Sequence, residues 1–208
     1  MKLYYTPGAC SLASHIALEE SGIEFDSERV DLFAGEQRTS EFLRLNPKGR
    51  IPVLVTPQGV ITENIAILMF AAMANPTSRL APLEDPFALA RMQSFNAYLA
   101  TTVHVAHAHG PRGSRWADRP ESLEDMKSKV SANMAAAFQL IEDEYFVGPW
   151  VLGDDYTVAD AYLFTFTSWL ESDGVNPTQF DRVWQHHQSM LERPAVQAVL
   201  NRERAAGS

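Results

Sequence analysis

Cys10 is the only cysteine of the chain, and it follows the turn Thr-Pro-Gly-Ala. The short apolar run at residues 2–5 predicts a buried strand, and residues 11–20 predict a helix. Cys10 would therefore lie at a helix N-terminus, where unpaired N–H groups and the helix dipole favour a thiolate or a bound thiolate. Without a second cysteine, it either forms a mixed disulfide with a small thiol or donates a hydrogen bond to one. The alternative is a small buried apolar side chain.

Two dipeptides suit a ligand that resembles an amino acid or a peptide. Ile51-Pro52 opens a predicted strand, where a proline cannot donate to the sheet. If that bond is cis, the backbone N–H and C=O of Ile51 are available to a peptide-like ligand. Glu63-Asn64 lies at a turn into a helix, where backbone N–H groups would bind a carboxylate and Glu63 would bind an ammonium group. The alternative is an ordinary helix cap with an acid in its first turn.

A histidine-containing helix face follows later in the chain. Small residues accompany Thr101, His104 and His107 on a face that is distinct from the apolar stripe of the same helix. This pattern is typical of a groove wall, with His104 as its polar group and Thr101 and His107 lining the pocket. A metal site of His104, His107 and His109 is the alternative. We expect no metal, because no carboxylate is near in sequence.

The elements around these residues divide the chain into an α/β part and an all-helical part. Residues 1–76 predict the order βαβαββα, which implies a mixed sheet with helices on its faces. The strands are expected at 2–5, 25–32, 51–55 and 60–62, and the helices at 11–20, 36–45 and 63–74.

The proline-containing segment 77–86 is the predicted linker, and residues 87–208 are predicted to form an all-α helical bundle. Apolar residues at spacings of three and four mark its helices. Thr157 is the expected N-cap of one of them, with Asp160 completing a capping box.

Composition excludes several classes of partner. The chain has 46% hydrophobic and 21% charged residues, which is ordinary for a globular protein, and it has no apolar run of membrane-spanning length. Its formal net charge of −9 would repel a phosphate backbone, so neither nucleic acid nor a membrane is an expected partner. A single cysteine fits a reducing compartment, and the N-terminus shows no signal peptide, so a cytoplasmic location is expected.

Four segments together resemble the glutathione transferase superfamily, and specifically its bacterial beta class. Residues 4–16 (YYTPGACSLASHI) are similar to the start of that class nearly throughout. Residues 46–54 (NPKGRIPVL) resemble its cis-proline segment, and residues 62–67 (TENIAI) its γ-glutamyl-binding turn. Residues 153–161 (GDDYTVADA) resemble the capped helix start of its second domain. The resemblance covers almost the whole chain.

This resemblance implies a thioredoxin-like N-terminal domain, glutathione as co-substrate, no metal, and a homodimer. Cys10 would contact the glutathione sulfur, and His104 would line the electrophile side as the second catalytic residue. The implied glutathione-binding residues are Tyr5, Ile51, Pro52, Glu63 and Asn64.

Two departures from the class pattern stand out. Asn64 occupies a position that usually holds Ser or Gly. The segment 104–116, with two extra histidines and with Arg112 and Arg115, differs from the usual one and should reshape the electrophile pocket.

The expected function is conjugation of glutathione to small electrophilic, mostly apolar substrates. That reaction needs a glutathione thiolate at neutral pH, which a helix N-terminus would favour. One alternative is a glutathione-dependent thiol/disulfide reductase in which Cys10 is the nucleophile. The other is a non-catalytic ligand-binding module of the same fold.

Overall fold

The computed structural model describes residues 1–207 of the 208-residue chain. Its N-terminal part contains one four-stranded mixed sheet in the order β2-β1-β3-β4, with β1 parallel to β2 and antiparallel to β3. Strands β3 and β4 form the predicted hairpin. The strands are β1 (Lys2–Tyr5), β2 (Asp26–Arg29), β3 (Val53–Thr56) and β4 (Gly59–Thr62).

Helices α1 (Ser11–Ser21) and α3 (Asn64–Ala74) pack against each other, and α1 also contacts two helices of the C-terminal part. Because protein covers α1 on all sides, every residue from Ser11 to Leu18 is buried. The helix ends at Gly22, whose φ of 68° is the left-handed conformation that glycine adopts readily. This confirms the predicted helix stop.

The single helix predicted for residues 36–45 is wrong in detail. The segment forms a 3₁₀ turn, Glu36–Arg38, and then helix α2 (Ser40–Leu45). Thr39 separates them with an extended backbone, and its hydroxyl accepts a hydrogen bond from the N–H of Phe42 at 3.3 Å. The threonine therefore caps a new helix, in place of continuing the first.

Beyond residue 85, the described elements are helical, which confirms the predicted combination of an α/β part with an all-α part. A π-helical turn, Leu99–Val103, joins α4 to α5, and another, Ile141–Tyr145, extends α7. No helix in residues 1–207 has the length and apolarity needed to cross a membrane. The α-helices are α4 (Pro86–Tyr98), α5 (His104–Ala108), α6 (Pro120–Ser128), α7 (Val130–Leu140), α8 (Val158–Thr167), α9 (Asp181–Leu191) and α10 (Pro194–Gly207). The domain limits at residues 76 and 87 stay a prediction.

The predicted capping box at the start of α8 is present. Thr157 accepts from the N–H of Ala159, and the fully buried Asp160 accepts from the N–H of Thr157 at 2.7 Å. Asp160 also accepts from the N–H of Val151 at 2.8 Å and pairs with Nε2 of His186 at 3.0 Å. One carboxylate therefore joins α8, α9 and the loop that precedes α8.

We predict that Asp160→Ala destabilises the protein strongly, because it leaves buried partners without an acceptor. The expected loss in the free energy of unfolding is about 3–5 kcal/mol. Urea denaturation followed by circular dichroism measures it. The control Asp154→Ala removes an exposed acid of the preceding loop and should change stability by less than about 0.5 kcal/mol. Equal effects of the two substitutions would contradict the role given to Asp160.

Candidate active site

Hydrogen bonds fix the turn that precedes Cys10. Within the turn, the N–H of Thr6 donates to Oγ of Ser11 at 3.1 Å. From the helical part, Nε1 of Trp169 donates to the carbonyl of Gly8 at 2.9 Å, and Oε2 of Glu203 accepts from the N–H of Gly8 at 3.0 Å. The second carboxylate oxygen of Glu203 pairs with the buried His15 at 2.9 Å. Contacts from the first strand to the last helix thus set the position of the cysteine.

Cys10 precedes α1, as predicted, and its Sγ lies 3.8 Å from the carbonyl oxygen of Ile51. Nδ2 of Asn64 donates to the carbonyl of Cys10 at 2.9 Å, and Oδ1 of Asn64 accepts from the hydroxyl of Ser14 at 2.6 Å. The Asn64 side chain therefore connects the start of α3 to the start of α1. This explains how an asparagine fits where a smaller residue was expected.

The sequence led us to expect that a helix N-terminus favours the thiolate, but burial outweighs it at Cys10. Burial raises the pKa of the Cys10 thiol to about 11, although Arg112 and the Asn64 side chain oppose this shift. The thiol is thus protonated at neutral pH. In that state it donates a hydrogen bond and is a poor nucleophile.

The two dipeptides singled out in the sequence border the same place. The Ile51–Pro52 peptide bond is cis. Glu63 precedes α3 with a φ of 76°, which is uncommon for a residue with a side chain and is often found at functional sites. Its carboxylate forms an ion pair with Lys48, whose ammonium also donates to the hydroxyl of Thr62 at 2.8 Å.

His104 forms part of an aromatic wall with Phe166 and Trp169, whose ring centroids lie 5.5 and 5.6 Å from its own. Burial, together with the charges of His107 and Arg112, lowers the pKa of His104 to about 4. The imidazole is therefore neutral at neutral pH, so it can donate or accept a hydrogen bond without carrying charge.

Thr101 and His107, the two residues predicted to line the electrophile pocket, have different surroundings. His107 stacks on Trp169, with centroids 4.1 Å apart, and Nδ1 of His107 pairs with Asp173 at 2.9 Å. Thr101 is exposed, and its hydroxyl donates to the carbonyl of Ala97 at 2.8 Å. His109, the third histidine considered for a metal, packs edge-on against Trp116, with centroids 4.7 Å apart. Within residues 1–207, no cluster of three or more His, Cys, Asp or Glu is arranged to hold a metal ion.

The structure does not bring Tyr5 to this group. Its side chain is 2% exposed and packs against the ring of His15 at 4.7 Å, on the core side of β1. Sequence reasoning missed Tyr162, a buried tyrosine of α8 that lies close enough to Cys10 to interact with it electrostatically. Burial raises its pKa well above the usual range. The sequence of α8 contains a single hint of this role, a tyrosine among apolar residues, since a buried tyrosine hydroxyl needs a polar partner.

With this geometry established, comparison with known proteins identifies the family. The model of the glutathione S-transferase N-terminal domain matches residues 1–73, and that of the C-terminal domain matches residues 89–194. The chain belongs to the glutathione S-transferase family. The predictions of this fold and of a glutathione transferase enzyme are confirmed.

Relatives that align with this transferase over nearly their whole length support the assignment to the family. A glutathione transferase homologue from Sulfitobacter, solved with bound glutathione, is 42% identical, with a TM-score of 0.94 and 97% of each chain covered. Glutathione S-transferase GstA of Escherichia coli O157:H7 is 35% identical over 98% of each chain. A beta-class glutathione S-transferase from Sphingomonas chungbukensis is 32% identical, with a TM-score of 0.85 and 98% of each chain covered.

For the unliganded transferase, we predict slow alkylation of Cys10 at neutral pH, because a pKa of about 11 leaves little thiolate. At pH 7, iodoacetamide should modify it roughly 30-fold more slowly than free cysteine, after allowing for the stronger nucleophilicity of a more basic thiolate. Mass spectrometry of the single adduct measures the rate, with Cys10→Ser as the unlabelled control. The rate should keep rising above pH 9. A plateau reached below pH 8 would contradict the raised pKa.

Proposed function

We propose that the protein conjugates the sulfur of glutathione to small electrophilic substrates, in the manner of the beta class. One observation supports this proposal: residues from both parts of the chain contribute to the candidate active site. The N-terminal part contributes Cys10, with Ile51 and Asn64 against it. The helical part contributes Tyr162 beside Cys10, and the ring of Phe166 links Tyr162 to His104.

The N-terminal part of the site suits a tripeptide with an α-amino acid at one end. In this proposal the backbone of Ile51 would pair with a peptide unit of the ligand. The N-terminus of α3 at Asn64 would accept the γ-glutamyl carboxylate, and the carboxylate of Glu63 its ammonium group. Glu63 is already paired with Lys48, so the incoming ammonium would share or replace that partner.

The reacting group in this proposal is the glutathione thiol, whose pKa is about 8.5 when free. Each unit by which the site lowers that pKa corresponds to about 1.4 kcal/mol of preferential stabilisation of the thiolate. The start of α1, the Cys10 S–H as donor and the positive charge of Arg112 would all favour the thiolate. In a substitution reaction, a carbon–sulfur bond forms, the leaving group departs with its electron pair, and the thiol proton passes to solvent.

We further propose that the protein forms a homodimer, acts in the cytoplasm and has a role in detoxification. Two large apolar side chains are exposed on helices that pack against each other, Met73 of α3 at 57% and Phe87 of α4 at 75%. Such a surface is typical of an interface between subunits.

The double substitution Met73→Lys and Phe87→Lys should shift sedimentation from dimer to monomer. A monomeric wild type would refute the dimer.

The thiol/disulfide reductase remains an alternative, and Cys10→Ala separates it from the transferase. If Cys10 is only a donor in conjugation, the variant should lose about tenfold in the conjugation of 1-chloro-2,4-dinitrobenzene, the value of one hydrogen bond from a weak S–H donor to a charged acceptor. Disulfide exchange with hydroxyethyl disulfide, which requires a protein thiol, should fall to background. Initial rates of both reactions measure this. Equal losses would make Cys10 the nucleophile and favour the reductase.

Calorimetry of glutathione binding tests the proposed γ-glutamyl site. Glu63→Gln keeps the size of the side chain but removes its charge, so affinity should fall about 10- to 100-fold. The matched control Glu192→Gln, at an exposed position after α9, should bind as the wild type does. Unchanged binding in Glu63→Gln would remove Glu63 from the site. Binding without turnover of any electrophile would favour the non-catalytic module.

A further inference from the structure

Two arginines lie on one short turn that follows α5. Arg112 caps a 3₁₀ turn, Gly113–Arg115, and the N–H of Arg115 donates to the carbonyl of Arg112 at 3.0 Å. The two arginines therefore stand at the two ends of one hydrogen-bonded turn, three residues apart.

The turn is anchored to the helix that follows it. Gly113 is buried, and a Cβ at this position would lie 3.2 Å from Cδ2 of Leu123 and 3.4 Å from Cε of Met126 on α6. At the C-terminal end of the turn, the N–H of Trp116 donates to the carbonyl of Gly113 at 2.9 Å. The two arginines are thus presented by a backbone that has little freedom to move them apart.

Neither arginine has an acidic partner in the part of the chain that the structure describes. No ion pair or side-chain hydrogen bond joins Arg112 or Arg115 to another described residue. Burial lowers the pKa of Arg115, and the charges of Arg112, Arg50 and Arg38 lower it further. Arg115 is exposed and Arg112 is half-buried, so an anion from solvent can reach both of these charges, which stand without a counter-ion in a chain whose net charge is −9.

The positive charges of both arginines act on groups of the candidate active site. Arg112 acts electrostatically on both Cys10 and His104, and Arg115 also acts on His104. Both arginines belong to the helical part, and their turn follows α5, the helix that begins with His104. An anion bound between them would lie on the electrophile side, beside the position proposed for the glutathione sulfur.

The geometry points to an electrophile that carries a carboxylate, bound by Arg112 and Arg115. This inference rests on the proposed transferase function and names its substrate class. Guanidinium groups match a carboxylate through two parallel hydrogen bonds, whereas an apolar electrophile would leave both charges uncompensated. In place of the mostly apolar electrophiles expected from the sequence, the inference names anionic ones. The glycyl carboxylate of glutathione has the same chemistry, so the test must distinguish the two sources.

A matched pair of aryl chlorides provides that test. 4-Chloro-3-nitrobenzoate and its methyl ester undergo the same substitution, in which the carbon–sulfur bond forms and chloride leaves, but only the benzoate is anionic. In Arg112→Gln and in Arg115→Gln, kcat/KM for the benzoate should fall at least about tenfold, as for the loss of a hydrogen bond between charged groups. In Arg115→Gln, the value for the ester and the KM for glutathione should stay within about twofold. In Arg112→Gln, whose lost charge also favours the thiolate, both electrophiles should slow, but the benzoate should lose at least about tenfold more than the ester. The control Arg44→Gln, at an exposed position on α2, should change neither.

Two results would overturn the inference. Equal losses of kcat/KM for the benzoate and the ester would show that the arginines do not distinguish an anionic electrophile from a neutral one. A raised KM for glutathione with no preference between the electrophiles would assign the pair to the glycyl carboxylate.

A binding experiment separates failure of this inference from failure of the transferase function. Calorimetry with unreactive 3-nitrobenzoate and its methyl ester, on protein saturated with S-methylglutathione, requires no turnover. Preferential binding of the benzoate that is lost in Arg115→Gln supports the anion site, even if no conjugation is found with any electrophile. Equal binding of the two compounds by the wild type overturns it.

Discussion

Hydrogen bonds from both parts of the chain hold the turn before Cys10, and the rest of the site takes its position from that turn. Trp169 and Glu203 bind the two sides of the Gly8 peptide, and Asn64 binds the carbonyl of Cys10 itself. Because these partners lie far apart in sequence, the turn reaches its final geometry only when the helical part has packed against the sheet. The same contacts bring the wall with His104 opposite the cysteine.

Burial decides the charge state of the two groups that the sequence marked as catalytic. It raises the pKa of Cys10 to about 11 and lowers that of His104 to about 4, so both are neutral at neutral pH. At Cys10 the cost of desolvating a charge exceeds the nearby favourable interactions, including the start of a helix, whereas at His104 the neighbouring positive charges act in the same direction as burial. The positive charge near the site comes instead from the arginines of the turn after α5. Neutral donors beside positive charge suit a reaction whose nucleophile is the thiolate that bound glutathione forms in the site.

Irregular backbone occurs beside the residues assigned to the site. A π-helical turn, Leu99–Val103, immediately precedes His104, a 3₁₀ turn carries Arg115, and Glu63 has a positive φ. Regular helix around these positions would aim the side chains differently, since each irregular turn changes the rotation between successive residues. Such features persist where surrounding packing stabilises them, and they are common at functional sites.

The sequence by itself determined the element order, the helix stop at Gly22, the Thr157–Asp160 capping box and the family resemblance. Those features depend on residues that are adjacent or a few positions apart, and local physical chemistry is sufficient to predict them. The tertiary structure alone decided that Cys10 stays protonated and that Tyr162 lies beside it. Desolvation and long-range contacts depend on which distant segments cover a residue. No local pattern carries that information.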